Sequence, residues 1–461
     1  MKEILLAAIN AKWIHPSLAL RLLKANLGSL EERCEIAEFN LRQPLAEKVS
    51  FLLAAHPKIL GLSVSIWNHT VTLQLLEELQ KTQVGERPVI VLGGPEVSHL
   101  PEEAEIFKYA DYVIRGEGET AFKTLCETIL EGGKLPDKFI NAEEADVTRI
   151  KSAYHLYTDE DINSKLTYVE ASRGCPFNCE FCLSAGGKKV REFPLEPFLF
   201  QMNELILRGV KTFKFLDRTF NVNIDRAVKI CEFFLKKIKE CGELFTVHFE
   251  IVPSLLPQEL LDTLAQFPPG TLRLEIGIQT LNAEISSRIG RISNSEKELA
   301  NIKLLREKTH AIIHADLIAG LPGEDFESFG RGLNDLWSAL YNTLNGNNIK
   351  KQNSPFEIQI GILKLLPGAL ISHHNETFAM KYNQKPPYEI EETSAMSADD
   401  LKRIKNFARF WELIVNRGLI NLSGSKMIFD SFMELSDSLF IKFGRNWGID
   451  KHELIEAVKN F

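Results

Sequence analysis

Short apolar runs alternate with amphipathic stretches along most of the chain. Over residues 1–135 the apolar runs are EILLAAIN (3–10), CEIAEFN (34–40), ILGLSVS (59–65), PVIVLGG (88–94) and DYVIRG (111–116). Each is short and bounded by turn residues, so each predicts a β-strand. Helical periodicity fills the gaps, as in SLALRLLKANLGSL and VTLQLLEELQKT. Five strands alternating with helices predict a parallel, doubly wound α/β sheet. Residues 136–165 are polar and acidic and read as a linker. Alternation then resumes, with strands near residues 166–174, 212–217, 245–252, 272–279, 311–320 and 356–366. Six β/α units over 166–385 predict a partial barrel, with its chemistry at the carboxyl ends of the strands. The Asn-rich stretch 341–355 reads as an exposed loop. Beyond residue 385 the periodicity is helical, which predicts a small α-helical domain (386–461), with a lid over the barrel mouth, a dimer surface and a partner dock all open as its role.

Composition narrows the class. A chain of 461 residues exceeds one hydrophobic core, so roughly two or three domains are expected. Hydrophobic residues at 44% and charged residues at 25% are ordinary for a soluble globular protein. The net charge of −8 argues against a broad nucleic-acid surface. The start, MKEILLAAINAKW, reads as a strand rather than a signal peptide. No run approaches the roughly 18 apolar residues that span a bilayer, so the expected location is the cytoplasm.

The seven cysteines carry the first chemical signal. Cys175, Cys179 and Cys182 fall in EASRGCPFNCEFCLSAG with C-x₃-C-x₂-C spacing, directly after a predicted strand. An odd total with a tight trio suits a reducing compartment and a metal site better than a disulfide framework. Cys34, Cys126, Cys231 and Cys241 read as small buried hydrophobes. Three thiolates leave one iron of a [4Fe–4S] cubane without a protein ligand, and an open position distinguishes a reactive metal site from a structural one. Zinc would need a fourth ligand from elsewhere in the chain.

The amino-terminal strand ends carry Asn10-Ala11-Lys12-Trp13, Ser63-Val64-Ser65, Gly93-Gly94-Pro95-Glu96 and Gly116-Glu117-Gly118-Glu119. Ligands of open α/β sheets bind beyond such ends, and small residues there let backbone approach a ligand closely.

The trio, with Phe181 in C-x-Φ-C, resembles the radical S-adenosylmethionine superfamily. The resemblance implies that Cys175, Cys179 and Cys182 hold a [4Fe–4S] cluster, and that Phe181 lies near the adenine of S-adenosylmethionine. Four later segments resemble family stretches in the same order. They are Phe215–Phe220, with Arg218 where the family has a second Asp, Glu275–Thr280, His314–Gly323 and Leu363–Gly368. Within them Asp217, Glu275, Gln279 and Asp316 become candidate contacts to S-adenosylmethionine. The amino-terminal sheet resembles the cobalamin-binding domain of cobalamin-dependent radical enzymes. Its implied cobalamin contacts are Ser63, Val64, Ser65, Gly93, Gly94, Pro95, Glu96, Gly116, Glu117, Gly118 and Glu119, with Lys12 and Trp13 near the corrin. The resemblance covers roughly residues 1–385, and Pro386-Pro387-Tyr388-Glu389 looks like a subgroup with a helical extension.

The implied fold is a Rossmann-like cobalamin-binding domain (1–135), a linker (136–165), a radical SAM partial (β/α)₆ TIM-type barrel (166–385) and a helical domain (386–461). The family's D-x-H-x-x-G motif, whose histidine ligates cobalt, is absent. His15 has the wrong spacing and reads as a surface or turn residue, so cobalamin is expected without a histidine lower ligand. The implied activity is methylation of an unactivated carbon by way of a 5′-deoxyadenosyl radical and methylcobalamin. A tetrapyrrole-cyclase-like, ring-contracting or hydroxylating outcome stays open, as does a carrier without radical chemistry. The implied partners are a small-molecule, lipid, tetrapyrrole or peptide substrate and an electron donor such as flavodoxin or ferredoxin. Nucleic acid and a membrane span are not expected.

Overall fold

The computed structural model describes residues 2–82, 87–184, 189–341, 355–419, 428–459 and 461. The Asn-rich loop expected at 341–355 falls almost wholly outside them. The first sheet contains β1 (Ile4–Asn10), β2 (Cys34–Asn40), β3 (Ile59–Ser63), β4 (Val89–Gly93), β5 (Tyr112–Arg115) and β6 (Phe139–Asn141). These run parallel in the order β2-β1-β3-β4-β5-β6. Strand β1 shows why its apolar run is unbroken. Leu5, Ala7 and Ile9 enter one core, with Leu52, Leu75 and Leu76 from the helices Leu45–Ala55 and His69–Thr82. Ile4, Leu6 and Ala8 enter the opposite core, with Leu20, Phe122 and Leu125 from the helices Leu18–Ala25 and Glu119–Leu130. A strand covered on both faces needs apolar residues at every position.

The stretch read as a linker is structured. It contributes β6 at the sheet edge and a helix, Asp159–Ser164, closed by a Thr158–Asp161 capping box. Asp161 accepts from the buried Arg21 at 2.7 Å, and Arg21 also reaches Glu38 at 2.8 Å. Polar residues there pair with buried partners, which composition cannot distinguish from solvation.

The second sheet contains β7 (Thr167–Val169), β10 (Thr212–Phe215), β11 (Thr246–Ile251), β12 (Leu272–Gln279), β13 (Ile312–Ala319) and β14 (Phe356–Ile362), in the order β14-β13-β12-β11-β10-β7. Two short strands, β8 (Ser172–Arg173) and β9 (Arg191–Glu192), fall between β7 and β10 in the chain. The six expected strands are all present. Strict alternation marks β12 and β13: Leu272, Leu274, Ile276 and Ile278, and Ile313, Ala315, Leu317 and Ala319, are buried. The intervening positions carry the polar residues Arg273, Glu275 and Gln279 on β12 and His314 and Asp316 on β13.

The chain divides into two compact units. One comprises residues 1–171, 191–214 and 366–368; the other comprises 172–190, 215–365 and 369–461. In the second unit the carboxyl-terminal helices Ala398–Trp411 and Ile428–Phe443 pack beside the helix Phe326–Tyr341. Asn416 donates to the Ile358 carbonyl at 3.1 Å and accepts from the Ile358 N–H at 3.2 Å. It thereby caps the backbone of β14, the last strand of its sheet, whose open edge would otherwise invite pairing with another chain. Among the described residues no helix is long and apolar enough to cross a membrane.

Candidate active site

In the second unit the cysteine loop leaves β8 through Gly174, whose φ is +94°. A Cβ there would lie 2.8 Å from the Lys189 carbonyl oxygen, so only glycine fits this turn. All three cysteines are half-buried. The Cys182 N–H donates to the Cys179 carbonyl at 2.9 Å, and the Ser184 N–H donates to the Cys182 Sγ at 3.4 Å. The Thr219 Oγ1 lies 3.8 Å from the Cys175 Sγ. Arg291 places a guanidinium nitrogen 4.0 Å from the Cys179 Sγ and donates to the Gly277 carbonyl at 2.6 Å. Burial pushes the Cys179 thiol up, and the Arg291 charge opposes that shift. Phe181 is half-buried on the same loop.

Of the remaining cysteines, Cys34, Cys126 and Cys231 are buried as expected, and burial pushes the Cys34 thiol up to about 12. Cys241 is exposed, against expectation, because it ends the helix Ile224–Cys241 just before Gly242.

Parallel pairing aligns the polar face of the second sheet into rows. Glu250, Glu275, His314 and Glu357 are in register across β11–β14, and Gly277, Asp316 and Gln359 form the next row. Glu275 lies 3.1 Å from His248 and Asp316 lies 3.1 Å from His314. His314 also meets Glu357 at 3.0 Å, and Arg273 meets Glu357 at 2.8 Å. Burial disfavours the His314 imidazolium, yet the hydrogen bonds it donates to Asp316 and Glu357 prevail and raise its pKa to about 10. Asp217 is buried and accepts from the Ser172 hydroxyl at 2.6 Å. Gln279 has φ +69° at a register shift in β12. Its amide nitrogen would lie 2.4 Å from a Cβ on Gly277, so the missing side chain gives it room. Glu275, Gln279 and Asp316 thus lie in neighbouring rows of one face. His248, Arg291, His314 and Glu357 were not singled out from the sequence; for His314 and Glu357 strand alternation was the available signal.

In the first unit the strand ends divide into a locked set and an accessible set. Val64 is fully buried. Its N–H donates to the Gly93 carbonyl at 2.8 Å, and its carbonyl accepts from the Glu96 N–H at 3.2 Å. Gly94 has φ +108°, and a Cβ there would lie 2.5 Å from the Val64 oxygen. Ser65 and Glu119 are buried; Glu96 is buried and bonded to His69 at 2.8 Å, and Glu117 pairs with Arg191. These residues brace the loops. Lys12, Trp13, Pro95 and Gly116 are exposed, and Ser63, Gly93 and Gly118 are half-buried. Trp67, which the sequence reading passed over, is 51% exposed and donates to the Ile9 carbonyl at 3.2 Å. His15 closes a turn, its N–H donating to the Lys12 carbonyl at 3.2 Å, and is half-buried with Nδ1 2.7 Å from the Tyr168 hydroxyl. Burial and the Lys12 and Lys214 charges lower its pKa.

Both donor sets fit the implied cofactors. Three thiols on one short loop beside a guanidinium suit a cluster with an open iron. A side-chain-poor glycine rim flanked by exposed indoles suits a broad planar corrin.

Comparison with known proteins defines the class. Residues 4–126 match the B12 binding domain, and residues 169–336 match the radical SAM superfamily. A B12-binding domain followed by a radical SAM domain is the architecture of the cobalamin-dependent radical S-adenosylmethionine enzymes. The chain carries a domain of each of these two families, and its cofactors are a [4Fe–4S] cluster, S-adenosylmethionine and cobalamin.

An uncharacterized methyltransferase of Pyrococcus horikoshii is 31% identical over 169 residues, or 32% of this chain and 37% of the relative. A tRNA-2-methylthio-N(6)-dimethylallyladenosine synthase of Bdellovibrio bacteriovorus is 25% identical over 200 residues, 42% of this chain and 44% of the relative. The matches therefore span about two fifths of these curated relatives. Among solved structures, the radical S-adenosylmethionine methyltransferase TsrM from Kitasatospora setae aligns with TM-score 0.61 at 17% identity, covering 82% of this chain and 78% of that one. The cobalamin-dependent radical enzyme OxsB aligns with TM-score 0.64 at 13% identity, covering 99% and 78%. At these identities the likeness is one of fold.

Proposed function

We propose that the protein is a methyltransferase that transfers a methyl group to an unactivated carbon. The observation that carries this reading is the three-cysteine loop of a radical SAM domain in the same chain as a B12-binding domain. The methyltransferase names of the Pyrococcus relative and of TsrM support it. The bound cofactors would supply the reductive opening of a sulfonium, hydrogen abstraction and a transferable methyl group.

In this reading Cys175, Cys179 and Cys182 hold the cluster, and Arg291 offsets thiolate charge at Cys179. Asp217, Glu275, Gln279 and Asp316 orient S-adenosylmethionine, with Phe181 beside its adenine. Ser172 fixes the Asp217 carboxylate, and His248 and His314 do the same for Glu275 and Asp316. Gly93, Gly94 and Gly116 give backbone access to the corrin, and Lys12, Trp13 and Trp67 flank it. A low-potential protein donor, flavodoxin or ferredoxin, supplies the electron in an oxygen-poor cytoplasm.

Anaerobic reconstitution with S-adenosylmethionine and dithionite tests the reading. Release of 5′-deoxyadenosine and S-adenosylhomocysteine, with a product heavier by one CH₂, supports methylation. 5′-Deoxyadenosine without S-adenosylhomocysteine indicates a cyclase-like or hydroxylating outcome. Neither product, with cluster and cobalamin both bound, indicates a carrier. Cys179→Ala leaves two thiolates, and its iron content and charge-transfer absorption should fall to background.

A further inference from the structure

Between two of the cluster cysteines lies Glu180, and its carboxylate faces two histidines from a distant part of the chain. His374 Nε2 is 2.8 Å from Glu180 Oε2, and His373 Nε2 is 3.6 Å from the same oxygen. One ligand atom from each of the three residues lies within 4.8 Å of the others. The backbone brings them together independently of the side chains. The Ile371 N–H donates to the Glu180 carbonyl, and the Glu180 N–H donates to the Ile289 carbonyl, both at 3.0 Å. Gly290 admits this approach: a Cβ there would lie 2.5 Å from the Asn178 oxygen.

The hydrogen bonds fix one ring. His373 Nδ1 lies 2.8 Å from the Leu370 carbonyl, which only accepts, so Nδ1 carries the proton. In the neutral ring Nε2 then presents a lone pair toward a carboxylate. A cation seated between the two atoms would satisfy both of them. A ligating histidine whose other nitrogen donates to a backbone carbonyl is the usual arrangement around protein-bound metals. His374 Nε2 faces the Glu180 carboxylate at 2.8 Å and the Arg288 carbonyl at 3.2 Å, so without a metal it carries the proton, and an ion binding there displaces that proton to solvent. The Arg288 guanidinium is engaged elsewhere, with Glu284 at 2.5 Å and the Pro322 carbonyl at 2.8 Å.

We propose that Glu180, His373 and His374 form a mononuclear site for a divalent first-row transition ion that ties the cysteine loop to the segment Leu370–His374. Two imidazoles and one carboxylate match zinc or ferrous iron, whereas calcium and magnesium prefer all-oxygen sites. His374 and Glu180 are largely shielded while His373 is 58% exposed, which leaves a path for the ion.

Zinc is the probe. The full chain is reconstituted anaerobically so that iron fills the cysteine site, titrated with Zn²⁺ and desalted. Metal content is then measured, and the zinc K-edge is recorded. The expected result is a single retained zinc per chain with imidazole scattering and no sulfur shell. Because His373 is exposed, His373→Ala should fold normally and keep its iron while zinc affinity falls roughly 100-fold. Glu180→Gln should weaken zinc in the same direction. Absence of retained zinc in the parent chain, a sulfur shell at the zinc edge, or unchanged zinc in His373→Ala would each overturn the proposal. None of these readouts depends on methyl transfer, so the outcome is separate from that of the proposed function.

Discussion

At the residue scale, two positions couple buried charge and backbone geometry to the cysteine loop and to the strand-end loops of the first sheet. Arg291 lies between Cys179 and the fully buried Glu298, whose carboxylate is 3.5 Å away. Burial raises the Glu298 pKa, and Arg291 pulls it back. Arg291→Met leaves that carboxylate buried without its cation, which costs about 3 kcal/mol. The double variant Arg291→Met/Glu298→Gln should recover most of the loss in thermal midpoint. It should still show a more negative cluster potential in an EPR-monitored redox titration, because the charge beside Cys179 stays absent. Gly94 is the second position. Gly94→Ala forces a Cβ toward the Val64 carbonyl at positive φ, a strain of about 1–3 kcal/mol. Hydroxocobalamin titration followed by absorbance should show weaker binding, with little change in iron content. The glycine pair was legible in the sequence. Arg291 was not, because nothing local marks a residue that meets Cys179 across more than a hundred positions of chain.

At the element scale, strand β13 and the turn after it join the polar face to a buried acid. The β12 residue Gln279 is followed by Thr280, whose hydroxyl donates to Glu324 at 2.5 Å. Burial pushes Glu324 up to about 7; the Thr280 hydrogen bond opposes the shift and the Asp325 charge adds to it. The ordinary value is 4.5, so the folded chain keeps a proton that the unfolded chain has released between those two pH values. Stability from this group is complete below the unfolded value and falls as pH rises to about 7, by up to about 3 kcal/mol. Glu324→Gln removes the titration and keeps the contact with Thr280. Its thermal midpoint should match the parent at pH 4.5 and exceed it at pH 8. An equal difference at both pH values would rule this account out. Alternation in β12 and β13 announced the two faces of these strands. Cross-strand register then decided which polar residues meet, and a sequence lists residues without their partners.

At the scale of the whole chain, the carboxyl-terminal helices complete the second unit. Phe429 is buried among Phe326, Phe329 and Phe407, with ring centroids 5.1–6.1 Å apart. Gly330 lets the helices approach, since a Cβ there would lie 2.4 Å from the Phe429 ring. Phe429→Ala should cost about 3–5 kcal/mol. Limited proteolysis should then release the carboxyl-terminal segment faster than in the parent, while the first unit resists as before. The sequence by itself determined the order of strands and helices, the parallel sheets and the three-cysteine loop, because periodicity and short spacing are local properties. Only tertiary structure decided that 136–165 is an integral part of its unit, that the terminal helices cap an edge, and that Arg291, His373 and His374 reach the cysteine loop. Those outcomes rest on contacts between residues far apart in the chain, and backbone pairing and close packing select such contacts without leaving a local pattern.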